Sequence, residues 1–177
     1  FVTDRNEIDR FFEHNKQALQ IRRMPLFWMQ WHMAQCAAGK LGVAEKLLEQ
    51  GYREASEFER RTGKAFDRRQ LDDRRAKFLM LRGEKSNRAG ADLFRDFKEA
   101  IELTGKILRQ DEPQYYPFET LAEVVRSYGM LGHRMDDGHR GLIGKSLNQL
   151  AIYARKRVGV VPTGYQSDKA QSALKNV

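Results

Sequence analysis

The sequence predicts an all-α protein, about seven helices stacked as antiparallel hairpins into an α-solenoid, and three observations carry that expectation. Apolar residues recur at steps of three and four through long segments, while runs alternating between apolar and polar are nearly absent. The prolines fall where a helix can begin or has already ended: Pro25, Pro113 and Pro117 at entries or connections, Pro162 at the start of the tail. One block also recurs. Leu48-x-x-x-Tyr52-Arg53-Glu54-Ala55-x-x-Phe58 is matched 45 residues later by Leu93-x-x-x-Phe97-Lys98-Glu99-Ala100-x-x-Leu103, with size and charge kept at each matched place.

Each helix has a local reason. The first is expected over residues 3–21, capped by Thr3 or Asp4, with Ile8, Phe11, Phe12, Ala18 and Leu19 on its apolar side. Pro25 opens the second, whose face carries Trp28, Trp31 and Gln35 beside Phe27 and Ala34, and Gly39 supplies its stop. The third follows over 41–62, and the small Ala44 near its start lets a neighbouring helix come close. Two more are expected over 67–82 and from Gly90 or Ala91 to about residue 110. Pro117 opens the sixth, and after a connection at 132–138 the seventh runs to about residue 157. Pro25-Leu26-Phe27 and Pro117-Phe118 open corresponding helices 92 residues apart, close to twice the spacing of the repeated block. The expected organisation is a leading helix or linker over 1–24, three hairpin repeats over 25–157, and a loosely held tail over 158–177. Within a pair, the leucine and aromatic at i and i+4 face the partner helix, and Ala55 or Ala100 lets the next hairpin stack.

The 177 residues, 41% of them hydrophobic, suffice for one domain with a continuous core. The chain opens on Phe1 without the features of a signal peptide, and a piece of a longer protein is expected. Its longest apolar stretches, such as 24–29, are far shorter than the ~20 residues that span a bilayer. The single Cys36 excludes an internal disulfide and a cysteine-based zinc cluster, and suits a reducing cytoplasmic setting. The net charge of +8 is uneven: residues 60–88 hold eleven Lys or Arg against four acids. Such a concentration attracts phosphates, nucleic acid or an acidic protein face.

These residues resemble tetratricopeptide repeats, in which an early Trp, a small residue at the start of the second helix and a later Ala recur; Trp28, Ala44 and Ala55 take comparable places. Over residues 22–157 the chain also resembles the helical C-terminal region of bacterial antiviral defence proteins, both STAND-type P-loop NTPases and sirtuin-like NAD hydrolases. The resemblance lies in Pro25-Leu26-Phe27-Trp28-Met29-Gln30-Trp31, Ala34, Gly39-x-Leu41-x-x-Ala44 and Tyr52-x-x-Ala55. It continues in Phe66-Asp67-x-x-Gln70-Leu71-Asp72-x-x-x-Ala76-x-Phe78-Leu79, and departs at Arg74 and Arg75, where it implies an aromatic or His. It implies a sensor or scaffold attached to a nucleotide-binding or NAD-cleaving core. ATP or NAD would then belong to the parent chain, with no cofactor in this part.

Candidate chemistry is sparse. Gly144-Lys145-Ser146 ends like a phosphate loop, but His139 stands where the loop needs its first glycine and no strand precedes it. His133, Asp136, Asp137 and His139 have metal-ligand chemistry, yet read as a polar turn with helix-capping aspartates. Trp28 and Trp31 read as core anchors rather than an aromatic cage, and Cys36 as a small packing residue without a base nearby. The candidate binding surface is Arg60, Arg61, Lys64, Arg68, Arg69, Arg74, Arg75, Lys77 and Arg82; against it stands a solvated face with Asp67, Asp72 and Asp73 forming local pairs. The function expected is recognition of a protein, or of a second copy of the parent, without catalysis. Nucleic-acid or phosphate binding through residues 60–88 is the alternative.

Overall fold

The computed structural model describes residues 10–11, 13–15, 25–110, 114–161, 164–175 and 177. The described residues are all-helical, without a strand. In order they form α1 (Pro25–Ala37), α2 (Leu41–Thr62), α3 (Arg69–Lys85), α4 (Gly90–Leu108), α5 (Tyr116–Leu131), α6 (Asp137–Arg157) and α7 (Tyr165–Leu174). Short 3-10 turns follow α5 at Gly132–Arg134 and α6 at Val158–Val160. Residues 10–11 and 13–15 are helical; the other positions assigned to the expected first helix, with Pro113 and Pro162, lie outside the described residues. The chain divides into compact units at 1–71 and 72–177.

In the first unit α1 and α2 form the expected antiparallel hairpin. Gly39 adopts φ +74°, a left-handed conformation that costs glycine little. It donates its N–H to the Cys36 carbonyl while Lys40 donates to that of Gln35, so the paired bonds of a Schellman stop satisfy the last carbonyls of α1. Phe27, Trp28, Trp31 and Leu47 make one apolar cluster, in which the indoles of Trp28 and Trp31 stack at 5.9 Å with 19° between their planes. Both tryptophans are core anchors, as their spacing predicts. Gly51 marks the close approach: a Cβ there would lie 3.1 Å from Leu71 Cδ2 and 3.3 Å from the carbonyl oxygen of Pro25. The connection after α2 is held to that helix by Glu59, which accepts from the Phe66 N–H at 3.1 Å and from Arg68.

In the second unit α4 packs against both α5 and α6, and α5 against α7. The core joins Leu79 and Met80 of α3 to Leu93, Phe97 and Ala100 of α4, Phe118, Leu121 and Val124 of α5, and Ile143, Leu147 and Leu150 of α6. Phe97 meets Tyr128 edge-on at 5.9 Å. The tail differs from the loose segment expected, because α7 buries Ala170 and Ala173 in this same core. Two small residues three apart are a weak sequence signal but give a helix a flat contact face. Helix ends shift slightly: α3 starts at Arg69 and extends to Lys85, and α4 ends at Leu108.

The repeated block keeps its burial as well as its letters. Leu48 and Leu93 are fully buried, as are Ala55 and Ala100; Phe58 and Leu103 are half-buried, and Arg53 and Lys98 are exposed. Tyr52 is half-buried where Phe97 is fully enclosed, in keeping with a hydroxyl that prefers a route to water.

Replacing Gly51 by Val should lower stability by about 1–3 kcal/mol, since backbone and packed leucine leave the new side chain no room. Gly141→Ala, facing open space inside α6, should raise it by about 0.4–1 kcal/mol. Urea midpoints check both; a Gly51→Val protein as stable as the parent contradicts the close approach.

Candidate functional site

The nine basic residues singled out by the sequence are mostly engaged by acids of their own unit. In the first unit Arg60 lies 2.7 Å from Glu57, Arg61 4.0 Å from the same carboxylate, and Arg68 holds Glu59 while donating to Ser56 Oγ at 3.0 Å. Arg69 donates through Nε to Asp67 at 2.9 Å, and Lys64 is exposed. In the second unit Arg75, Lys77 and Arg82 are drawn inward, the Arg82 side chain retaining only 16% of its exposure. Arg74 is half-buried beside Asp73, whose charge it favours.

Two of these contacts, with a third from Asp72, cross from α3 to α4 as a ladder. Asp72 pairs with Lys106 at 2.7 Å, Arg75 with Glu99 at 2.9 Å and Arg82 with Asp96 at 2.7 Å, so rising numbers on α3 meet falling numbers on α4. Asp96 is 2% exposed and also meets Arg88 at 2.7 Å. Arg82 further lies over the Phe78 ring, 5.6 Å from its centroid. Asp67 and Asp73 make the local pairs foreseen, with Arg69 and Lys77, whereas Asp72 reaches a different helix.

A second polar seam, between α3 and α5, escaped the sequence reading. Thr120 donates to Asp73, and Glu84 accepts from Ser127 at 2.6 Å and from Arg126 at 2.8 Å. Burial raises the pKa of Asp73 above its ordinary value, against the opposing pull of Lys77, Thr120 and Arg74. Burial also raises that of Glu123, with Lys77 and Arg126 opposing the shift and Glu84 and Asp73 adding to it. The partners of this seam hold α3 to α5. Its signal was the stripe Thr120, Glu123 and Ser127 at helical spacing.

The remaining candidates take structural places. Asp136 caps α6 by accepting from the His139 N–H at 2.9 Å, and the His139 ring stacks on Phe94 at 4.2 Å. Among the described residues no group of three or more His, Cys, Asp or Glu is placed to hold a metal ion. Gly144-Lys145-Ser146 lies within α6. Cys36 does have an imidazole beside it, contrary to the expectation: His32 Nε2 lies 3.5 Å from its sulfur. His32 Nδ1 is 2.8 Å from the Ala44 carbonyl, which only accepts, so that nitrogen carries a proton. The i, i+4 spacing of His32 and Cys36 was the available signal. Concave space lies elsewhere: clefts of about 430 and 270 Å3 adjoin between α4 and α6 and share Ile101, Glu102 and Ser146.

A buried charge removed from one side only leaves its partners stranded. Asp96→Ala should therefore cost about 3–5 kcal/mol in chemical denaturation, while Arg60→Ala leaves the midpoint unchanged. Equal effects of the two would refute the distinction between ladder and surface pair. For Asp73 the raised folded pKa means that its contribution to stability is fully present below the unfolded value and is lost as pH rises through the folded one. The wild type should accordingly lose stability relative to Asp73→Asn as pH climbs from 3.8 towards neutrality, measured as the difference between their urea midpoints. A difference that is constant or of opposite slope contradicts the burial effect.

Comparison of the chain with protein-family models, with curated proteins and with solved structures gives no match.

Proposed function

We propose that the chain is a protein-binding helical-repeat module of tetratricopeptide-like, α-solenoid type, serving as the sensor or scaffold part of a larger bacterial antiviral defence protein. The observation that carries the repeat is the shared burial of Leu48 with Leu93 and of Ala55 with Ala100, because equivalent letters take equivalent physical places. The packing of α4 on both α5 and α6 supports it, being the neighbour-on-neighbour contact that stacked hairpins require. The defence setting rests on the sequence resemblance alone. Catalysis is assigned to the parent chain, and ATP or NAD with it.

Nucleic-acid binding is the second reading, favoured by the +8 net charge. Its support is reduced by the pairing of Arg75, Lys77 and Arg82 with Glu99, Asp73 and Asp96, which leaves the exposed Lys64 and Arg60 as the more accessible cations. No helix among the described residues is long and apolar enough to cross a membrane, so a partner in water is the simpler proposal.

The module should self-associate with rising concentration in sedimentation velocity, or retain one partner protein at fixed stoichiometry, with a far shallower salt dependence than nucleic-acid binding shows. Failure of both overturns the proposal. Retention of oligonucleotides that weakens steeply and log-linearly with salt would instead establish the second reading.

A further inference from the structure

We propose that the cleft between α4 and α6 is a docking groove for an amphipathic helix with acidic ends, supplied by a partner protein. This rests on the protein-binding reading and names the surface and the partner's chemistry.

The two adjoining clefts follow α4 from Phe94 to Arg109, a span of roughly 22 Å at 1.5 Å per residue. Ile101 and Leu150 make an apolar floor, and Leu142, 56% exposed, stands on the rim as a large aliphatic side chain in water. Gly105 leaves a gap in the α4 wall, and the Arg109 guanidinium lies across it, 3.3 Å from where a Cβ would be. A long open trough of this kind suits a rod-shaped ligand better than a small molecule, which binds where most of its surface can be enclosed.

The rod is a helix for a backbone reason. Both walls are α-helices whose interior N–H and C=O groups are already paired, so an extended peptide would find no edge for its own main chain. A helix brings its backbone satisfied and offers side chains at i, i+4 and i+7 to the floor. Charge selects the ends. Lys98 and Arg109 are exposed on the α4 wall, eleven residues apart, with no ion-pair partner among the described residues, and Glu102 alone opposes them. The α6 residues lining the cleft, Leu142, Ser146, Gln149, Leu150 and Tyr153 among them, are uncharged. Carboxylates one at each end of the incoming helix meet the two cations, whereas a basic helix would meet like charge twice.

The experiment uses fluorescent 15-residue helical peptides with leucines at i, i+4, i+7 and i+11 and with acidic, neutral or basic ends. Anisotropy is read against the whole chain, Leu142→Glu and the double variant Lys98→Glu/Arg109→Glu. These three side chains are exposed, so the fold is spared, which circular dichroism checks. The acidic peptide should bind most tightly, and about tenfold or more weakly to each variant; the basic peptide should gain on the double variant. No preference among ends, no binding, or equal binding by all proteins overturns the groove. So does a concentration-dependent dimer abolished by Leu142→Glu without peptide binding, which makes the cleft a contact between copies. Partner retention or self-association that survives both variants removes the groove while the module stands; absence of all association removes both.

Discussion

A pair of antiparallel helices has no second layer, and that constraint shapes everything beyond it. The stripe of Leu93, Phe97 and Ala100 on α4 is fully buried only because α4 meets residues of α3, α5 and α6 at once. Fully burying a leucine or phenylalanine contributes about 1.5–3 kcal/mol, so a hairpin left alone would forfeit most of its driving force. Small residues set how closely the layers approach. Ala100 does this in the second unit, and Gly83, where a Cβ would lie 3.2 Å from both Leu93 and Leu131, does it more tightly.

Burial alone does not fix which neighbour a helix takes or in which direction. The ladder Asp72–Lys106, Arg75–Glu99 and Arg82–Asp96 supplies direction, because its sequence order is compatible only with antiparallel α3 and α4. Shifting the register would take Arg82 away from Asp96 and leave that enclosed charge to Arg88 alone. The Asp73–Thr120 and Glu84–Ser127 contacts tie α3 to α5 in the same manner. Cations that look like a binding surface in one dimension are thereby used for register in three. Lys98 and Arg109, exposed along the α4–α6 cleft, take no part in these contacts.

Much of the fold was legible in the sequence, for identifiable reasons. The bounds of α2 and the end of α6 follow from Gly39, Gly63 and uninterrupted apolar periodicity, and Pro117 marks the start of α5 within a residue. The tail helix was missed because its buried face is two alanines, too small to register as a hydrophobic stripe. The site was less legible. Charge counts along a chain cannot tell an arginine facing water from one facing Asp96 fourteen residues on, since that depends on which helix packs beside it. The α4–α6 cleft was illegible for the same reason: Lys98 and Leu142, 44 residues apart in sequence, line one cleft only because α4 and α6 pack together.

The most direct test of the repeat asks whether matched letters do matched work. Equilibrium unfolding of Leu48→Ala and Leu93→Ala should show losses of about 2–5 kcal/mol in each, against changes within ±0.5 kcal/mol for the exposed pair Arg53→Ala and Lys98→Ala. If one leucine proves silent while the other is costly, the two blocks are alike only in sequence, and the repeat account fails.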